Sequence, residues 1–150
     1  MIEVIKKIID RNLSIVTAES ITGGLISKTI TDVPNSSKVL KESFIVYSNE
    51  AKINILGVEE ELIDKYGVVS SEVAKSMVLH LKEKTNRDIC ISTTGNAGPT
   101  VCDDKPVGKV FIGIIFKNDC SIIECDFSGD REKIRNDTLN KVFKELDKLL

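Results

Sequence analysis

The stretch TAESITGG, residues 17–24, concentrates groups able to do chemistry at one corner of the chain. Glu19, Ser20 and Thr22 precede the glycine pair Gly23–Gly24, where a short apolar segment gives way to helical spacing. Two readings of Ser20 stand side by side. Serine is a frequent helix N-cap, its hydroxyl accepting a backbone N–H of the first turn. It is also a nucleophile, and free N–H groups at a helix start can stabilise an oxyanion. Gly23 and Gly24 would let that backbone approach a substrate without Cβ interference. Ser20 and Thr22 could divide the roles of nucleophile and cap. Glu19 could orient the cluster or stand as a solvated carboxylate.

A serine nucleophile needs a base. His80 is the only histidine. It falls beside Leu81 within a helical pattern, where an ordinary half-exposed residue is the plainer reading, so a Ser–His–Asp triad is not expected. A desolvated lysine can lose its proton near neutral pH. Lys52 is the distinctive one: it sits in YSNEAK, directly after an apolar segment. Taken alone it also reads as a solvated surface lysine.

These groups need elements to bring them together. Residues 2–11 put Ile2, Ile5, Ile8 and Ile9 on one helical face, and LSIVTA at 13–18 reads as a buried strand. Helical spacing returns over 21–32, DVPNSS breaks the chain, and SFIVYS at 43–48 is a second strand. Two short helices separated by GV fill 49–66, with Asn49 or Glu59 near a helix start. A longer helix covers 70–86 with Ser70 or Ser71 as its cap. DICISTT at 88–94 is a third strand, and 95–108 is a glycine- and proline-bearing loop. Residues 108–116 and 120–127 form a hairpin through KND, its first strand central and its second half-exposed. SGDREKIRNDTLNKVFKELDKLL closes the chain as a capped helix. The order predicts an α/β fold: a three-layer α/β/α sandwich on a mixed, mostly parallel sheet with a C-terminal hairpin. Loops 19–24, 47–52 and 94–99 each follow an apolar strand, so neighbouring strands would gather them at one sheet edge, where such folds hold ligands.

Composition narrows the function classes. The chain has 150 residues, which is one ordinary domain. Its formal charge is −2 with both signs interspersed and no basic stripe, so no nucleic-acid surface is expected. No apolar run approaches the ~20 residues of a membrane span, and the charged, apolar-interleaved start is unlike a signal peptide. A cytoplasmic setting follows, with Cys90, Cys102, Cys120 and Cys125 as free thiols. With no C-x-x-C and one histidine, no metal site is expected. Edge strands and apolar surface would allow a homo-oligomer, but nothing locates an interface.

Seven motifs then occur in order: TAESITGGL, YSNEAK, LGV, GVVS, GNAGP, KPVG and GDR. Together they resemble the CinA C-terminal-domain family from about residue 4 to the end, in its stand-alone form, without a molybdopterin-binding-like domain ahead of it. Each motif is weak alone, and their shared register is the strong signal. The resemblance implies an α/β/α sandwich and an amidohydrolase that converts nicotinamide mononucleotide to nicotinate mononucleotide and ammonia, without metal or redox cofactor. It places the nucleophile on Ser20 and the activating lysine on Lys52, with Tyr47 close by and able to pass a proton to the departing ammonia. The tetrahedral oxyanion would then rest on the head of the 21–32 helix. A small-molecule nucleotide also carries a phosphate and a ribose. Backbone N–H groups at Gly95 and Asn96, or at the start of the last helix, could cradle an anion. Arg131 and Arg135, one helical turn apart, could reach the same phosphate, or could form an exposed basic face balanced by Asp130 and Glu132. GDR favours Arg131.

The chain departs from the family pattern between AGP and KPVG. TVCDD replaces a glycine-rich run, Asn96 stands where an apolar residue is usual, and Ile21 replaces a common cysteine. Asp103 and Asp104 would repel a phosphate unless they point to solvent, and Cys102 has no assigned role. The alternative is therefore a catalytically altered nucleotide-binding or interaction module on the same fold.

Overall fold

The computed structural model describes all 150 residues. Helix α1 (Ile2–Asp10) leads into β1 (Ile15–Glu19), and α2 (Leu25–Thr31) follows a turn. Strand β2 (Leu40–Ile45) precedes α3 (Asn49–Ala51), which runs on as a π-helical turn, Lys52–Leu56. Helices α4 (Glu60–Tyr66) and α5 (Ser71–Thr85) come next. The chain ends with β3 (Ile89–Gly95), β4 (Lys109–Phe116), β5 (Asp119–Asp126) and α6 (Arg131–Leu149).

The five strands lie in the order β2-β1-β3-β4-β5. Strand β1 pairs in parallel with both β2 and β3, whereas β3–β4 and β4–β5 are antiparallel. Parallel and antiparallel pairings are thus equal in number, and the β4–β5 hairpin is followed by α6. Strand side chains alternate between two apolar layers. Ile15, Ile89, Ile91, Val110, Ile112 and Ile114 pack with α1, α2 and α6. Val16, Ala18, Cys90, Phe111 and Ile115 pack with α4, α5 and the 52–58 segment. Burial of both faces is why β1, β3 and β4 read as near-continuous apolar runs.

Close packing of α5 depends on Gly113. A Cβ there would lie 2.5 Å from Ser92 Oγ and 3.0 Å from the Ala74 carbonyl, so α5 rests directly on the sheet backbone. Ser70 caps α5 by accepting the Val73 N–H at 3.2 Å.

Two expected boundaries move. The second strand begins at Leu40, not at residue 43, and leaves the ladder after Ile45. As an edge strand it alternates half-buried Leu40, Glu42 and Phe44 with exposed Lys41, Ser43 and Ile45, which hides it within a polar-looking sequence. The helix expected over 21–32 starts only at Leu25, because residues 21–24 form a turn.

Parallel β1, β2 and β3 end at the same sheet edge. The chain leaves β1 for β2 on one side, and β3 then adds on the other. The crevice beyond β1 and β3 is therefore a topological switch point. Antiparallel β5 ends at that edge too, delivering the start of α6.

Candidate active site

A cavity of about 180 Å³ opens at this edge, lined among others by Ser20, Ile21, Lys52, Val69, Cys102 and Arg131. At its base Lys52 Nζ lies 2.9 Å from Ser20 Oγ. The amine also donates to the carbonyls of Val46 at 3.0 Å and Tyr47 at 3.4 Å. Ser20 and Lys52 are 8% and 1% exposed, so water screens neither well. Burial of the amine lowers its pKa from the usual 10.5 to about 8, and nearby Cys102 opposes part of that shift. A neutral amine has two hydrogens and one lone pair. Two carbonyls and one hydroxyl surround Lys52, so the ammonium can donate to all three, and the neutral amine can donate to the two carbonyls and accept from the Ser20 hydroxyl.

Local structure explains the lysine's placement. Ser48 caps α3, accepting the Ala51 N–H at 3.0 Å, and Lys52 opens the π-helical turn that follows. A π turn shifts side chains from the α-helical phase and recurs at functional sites. Here Lys52 points into the protein rather than along its surface, which settles the choice between a surface lysine and a buried one.

The head of α2 does not supply the oxyanion site expected from the sequence. Its N-cap is Gly24, at φ +99°, a left-handed conformation suited to glycine, and Ser20 caps nothing. The capping group is Glu19, fully buried. Its Oε2 accepts the N–H groups of Gly24 and Ile26, each at 3.0 Å, and its Oε1 accepts that of Ser27 at 2.8 Å. A carboxylate at a helix N-terminus gains from both the hydrogen bonds and the dipole. The free backbone donors lie one step earlier: the N–H groups of Ile21 and Thr22 have no protein acceptor.

Other predicted site residues divide by position. Gly95 lines the cavity, but Gly23 and Gly24 do not, and Thr22 turns its hydroxyl to Thr93 at 2.9 Å. Tyr47 borders the cavity at 61% exposure, and its hydroxyl accepts from Arg131 at 2.8 Å rather than meeting Lys52. Only its carbonyl touches the dyad, so a proton path through the phenol has no support. Asn96 is buried and turned away from the cavity: it donates to the carbonyls of Cys102 and Lys105 and accepts the Cys102 N–H. Its own N–H is spent on Lys109, so it cradles no anion.

Arg131 and Arg135 part company although they share a helix. Arg131 lines the cavity and donates to the Gly98 carbonyl at 2.7 Å as well as to Tyr47. Arg135 instead grips the carbonyls of Ile21 at 3.2 Å and Thr22 at 2.9 Å.

Sequence reasoning missed Val68, Val69 and Thr94 as lining residues, although GVVS was among the recurring motifs. It also left the TVCDD loop unplaced. Asp103 accepts the Val69 N–H at 3.0 Å, and Lys105 donates to the carbonyls of Tyr66 and Val69. These bonds pin the loop beside the cavity with Cys102 at its wall. No carboxylate lines the cavity, so its formal charges are basic only, from Lys52 and Arg131. No group of three or more His, Cys, Asp or Glu side chains converges on a common point. No helix is long and apolar enough to cross a membrane.

Comparison with known proteins places the chain in a family. The sequence profile of the CinA C-terminal domain matches residues 1–150. A competence-damage inducible protein of Caldicellulosiruptor saccharolyticus is 48% identical over 133 residues, covering 88% of this chain and 32% of its own length. Its counterpart in Finegoldia magna is 46% identical over 143 residues, covering 95% and 34%. The chain thus spans about a third of the length of the curated relatives it matches. Among solved structures, a CinA superfamily protein from Escherichia coli aligns with a TM-score of 0.93 at 27% identity, covering 99% of this chain and 87% of that one. The competence/damage inducible protein CihA of Agrobacterium tumefaciens aligns at 0.92 and 31% identity, covering 98% and 91%. Profile, sequence and backbone agree along nearly the whole chain, and on that ground it belongs to the CinA C-terminal-domain family.

Proposed function

We propose that the chain hydrolyses the carboxamide of nicotinamide mononucleotide, giving nicotinate mononucleotide and ammonia, with Ser20 as nucleophile and Lys52 as base. The observation that carries this reading is the 2.9 Å contact between a buried amine of lowered pKa and a serine hydroxyl at the base of a cavity. The resemblance read from the motifs implies the amide and the nucleotide, and the dyad supports the chemistry.

Neutral Lys52 takes the Ser20 proton as Oγ attacks the amide carbon. The new C–O bond forms and the carbonyl π pair moves onto oxygen. Ile21 N–H, beside the nucleophile and without a protein acceptor, is the nearest candidate to receive that oxyanion. The C–N bond then breaks, and the Lys52 ammonium returns its proton to the departing nitrogen, releasing ammonia. Water adds to the acyl ester with Lys52 again as base, and collapse regenerates the Ser20 hydroxyl. Arg131, at the cavity wall, offers a charge-assisted contact to the substrate phosphate. Tyr47 holds Arg131 in place and is a rim residue rather than a proton carrier.

The test is ammonia release from nicotinamide mononucleotide by purified protein, compared with Ser20→Ala. Wild type is expected to turn over, and the variant to lose at least about a thousandfold in kcat while keeping its fold by circular dichroism. Turnover that persists in Ser20→Ala would remove the nucleophile from this scheme. Tight binding of the nucleotide with no ammonia from wild type would favour a binding module.

A further inference from the structure

We infer that Arg135 is a positioning residue that shapes the turn after Ser20 into an anion-stabilising pocket made of the Ile21 and Thr22 N–H groups. The inference rests on the preceding reading only in taking Ser20 as the nucleophile.

The turn over residues 20–24 is held from two sides. On one side Glu19 takes the N–H groups of Gly24, Ile26 and Ser27, so the head of α2 is fully occupied. On the other side Arg135 reaches across from α6 and donates through Nε to the Ile21 carbonyl and through Nη2 to the Thr22 carbonyl. Within a trans peptide unit the C=O and N–H point in opposite directions. Drawing the Ile21 carbonyl toward Arg135 therefore turns the Thr22 N–H away from it. The Ser20 carbonyl accepts the Gly23 N–H at 3.1 Å, which in the same way turns the Ile21 N–H outward from the turn.

The consequence is two consecutive N–H groups beside the nucleophile with no protein acceptor, on residues only 5% and 0% exposed. Buried backbone donors are almost always paired, and the exceptions call for an explanation. A developing oxyanion at the Ser20-bound carbon is an acceptor of the right kind, and Ile21 lines the cavity beside Ser20. The guanidinium itself has no carboxylate partner; its planar fork is spent on two carbonyls and its charge stands behind the turn. One helix thus performs two tasks a single turn apart, Arg131 at the cavity wall and Arg135 behind the nucleophile's loop. A lysine's ammonium could reach carbonyls, but as a single point with no rigid planar fork it would not hold the two peptide planes in the same relative orientation.

The experiment compares wild type, Arg135→Ala and Arg135→Lys in two assays. In ammonia release from nicotinamide mononucleotide, both variants are expected to lose about 10- to 100-fold in kcat with KM within about threefold. In ¹¹B NMR, phenylboronic acid is expected to form a tetrahedral adduct with wild type but not with Ser20→Ala, and to bind the Arg135 variants about tenfold more weakly. Should Arg135→Ala fail to fold, the Arg135→Lys values decide. A rise in KM at unchanged kcat would make Arg135 a substrate-binding residue and overturn the inference. Equal boronate affinity in wild type and variants, or no tetrahedral boron with wild type, would overturn it as well. Boronate binding that depends on Arg135 in a protein releasing no ammonia would sink the assigned substrate and leave the inference standing.

Discussion

Replacing Lys52 with methionine removes an amine that the fold buries at a cost, and that cost depends on pH in a calculable way. The amine titrates at about 8 in the folded protein against 10.5 as its ordinary value. Between those two pH values the unfolded chain binds more protons than the folded one, so wild-type stability rises with pH across that window. Below pH 8 both states are protonated and the full penalty is present. A shift of this size amounts to about 3 kcal/mol at pH 7, falling to under about 1 kcal/mol at pH 10. Lys52→Met lacks this slope. It also loses the hydrogen bonds to Val46 and Tyr47, but that loss is the same at every pH and cancels in the comparison. The stability difference between variant and wild type should therefore move by about 2–3 kcal/mol in favour of wild type from pH 7 to pH 10. For a domain of this size that is about 8 °C in relative Tm. Thermal unfolding of both proteins at the two pH values measures it. Parallel pH profiles would mean that Lys52 titrates normally when folded, and the case for a neutral base would fail.

The rate should carry the same signature: kcat/KM should climb with a one-proton slope and level off above about pH 8, because only neutral Lys52 accepts the serine proton. A flat profile from pH 6 to 9 would contradict it. Arg131→Ala should raise KM for nicotinamide mononucleotide about 10- to 100-fold, the worth of a hydrogen bond to a charged group, and leave KM for the unphosphorylated nucleoside unchanged. An equal effect on both substrates would detach Arg131 from the phosphate. Glu19→Gln should destabilise the protein by about 2–3 kcal/mol in urea unfolding, since an amide NH₂ would face helix N–H donors now served by a carboxylate. An unchanged urea midpoint would show that the cap is not needed.

Much of the fold was legible because burial imposes periodicity. Ser70 announced α5, GV marked the break between two short helices, and the apolar runs of β1, β3 and β4 marked strands covered on both faces. Strand β2 was harder: its inward residues alternate with Lys41 and Ser43, while the following VYS extends the apolar run past the end of the ladder. Of the site, Ser20 and Lys52 were legible as types of residue in suggestive places, and seven ordered motifs named the family. The roles of Glu19, Asn96 and Arg135 were not legible. Each acts on backbone groups, and which of those lie within reach is set by how distant segments pack.

The sequence by itself determined which residues could react, which runs must be buried, and that three loops would follow apolar strands. Tertiary structure alone decided which groups meet. Identical i, i+4 spacing could not foretell that Arg131 would face the cavity and Arg135 the carbonyls of Ile21 and Thr22. Nor could it reveal that a π-helical turn would bury Lys52 against Ser20, 32 positions away in the chain. Periodicity is a local property and survives in one dimension. The reactivity of an amine depends on desolvation and on neighbours brought from elsewhere, and these exist only once the sheet has closed over them.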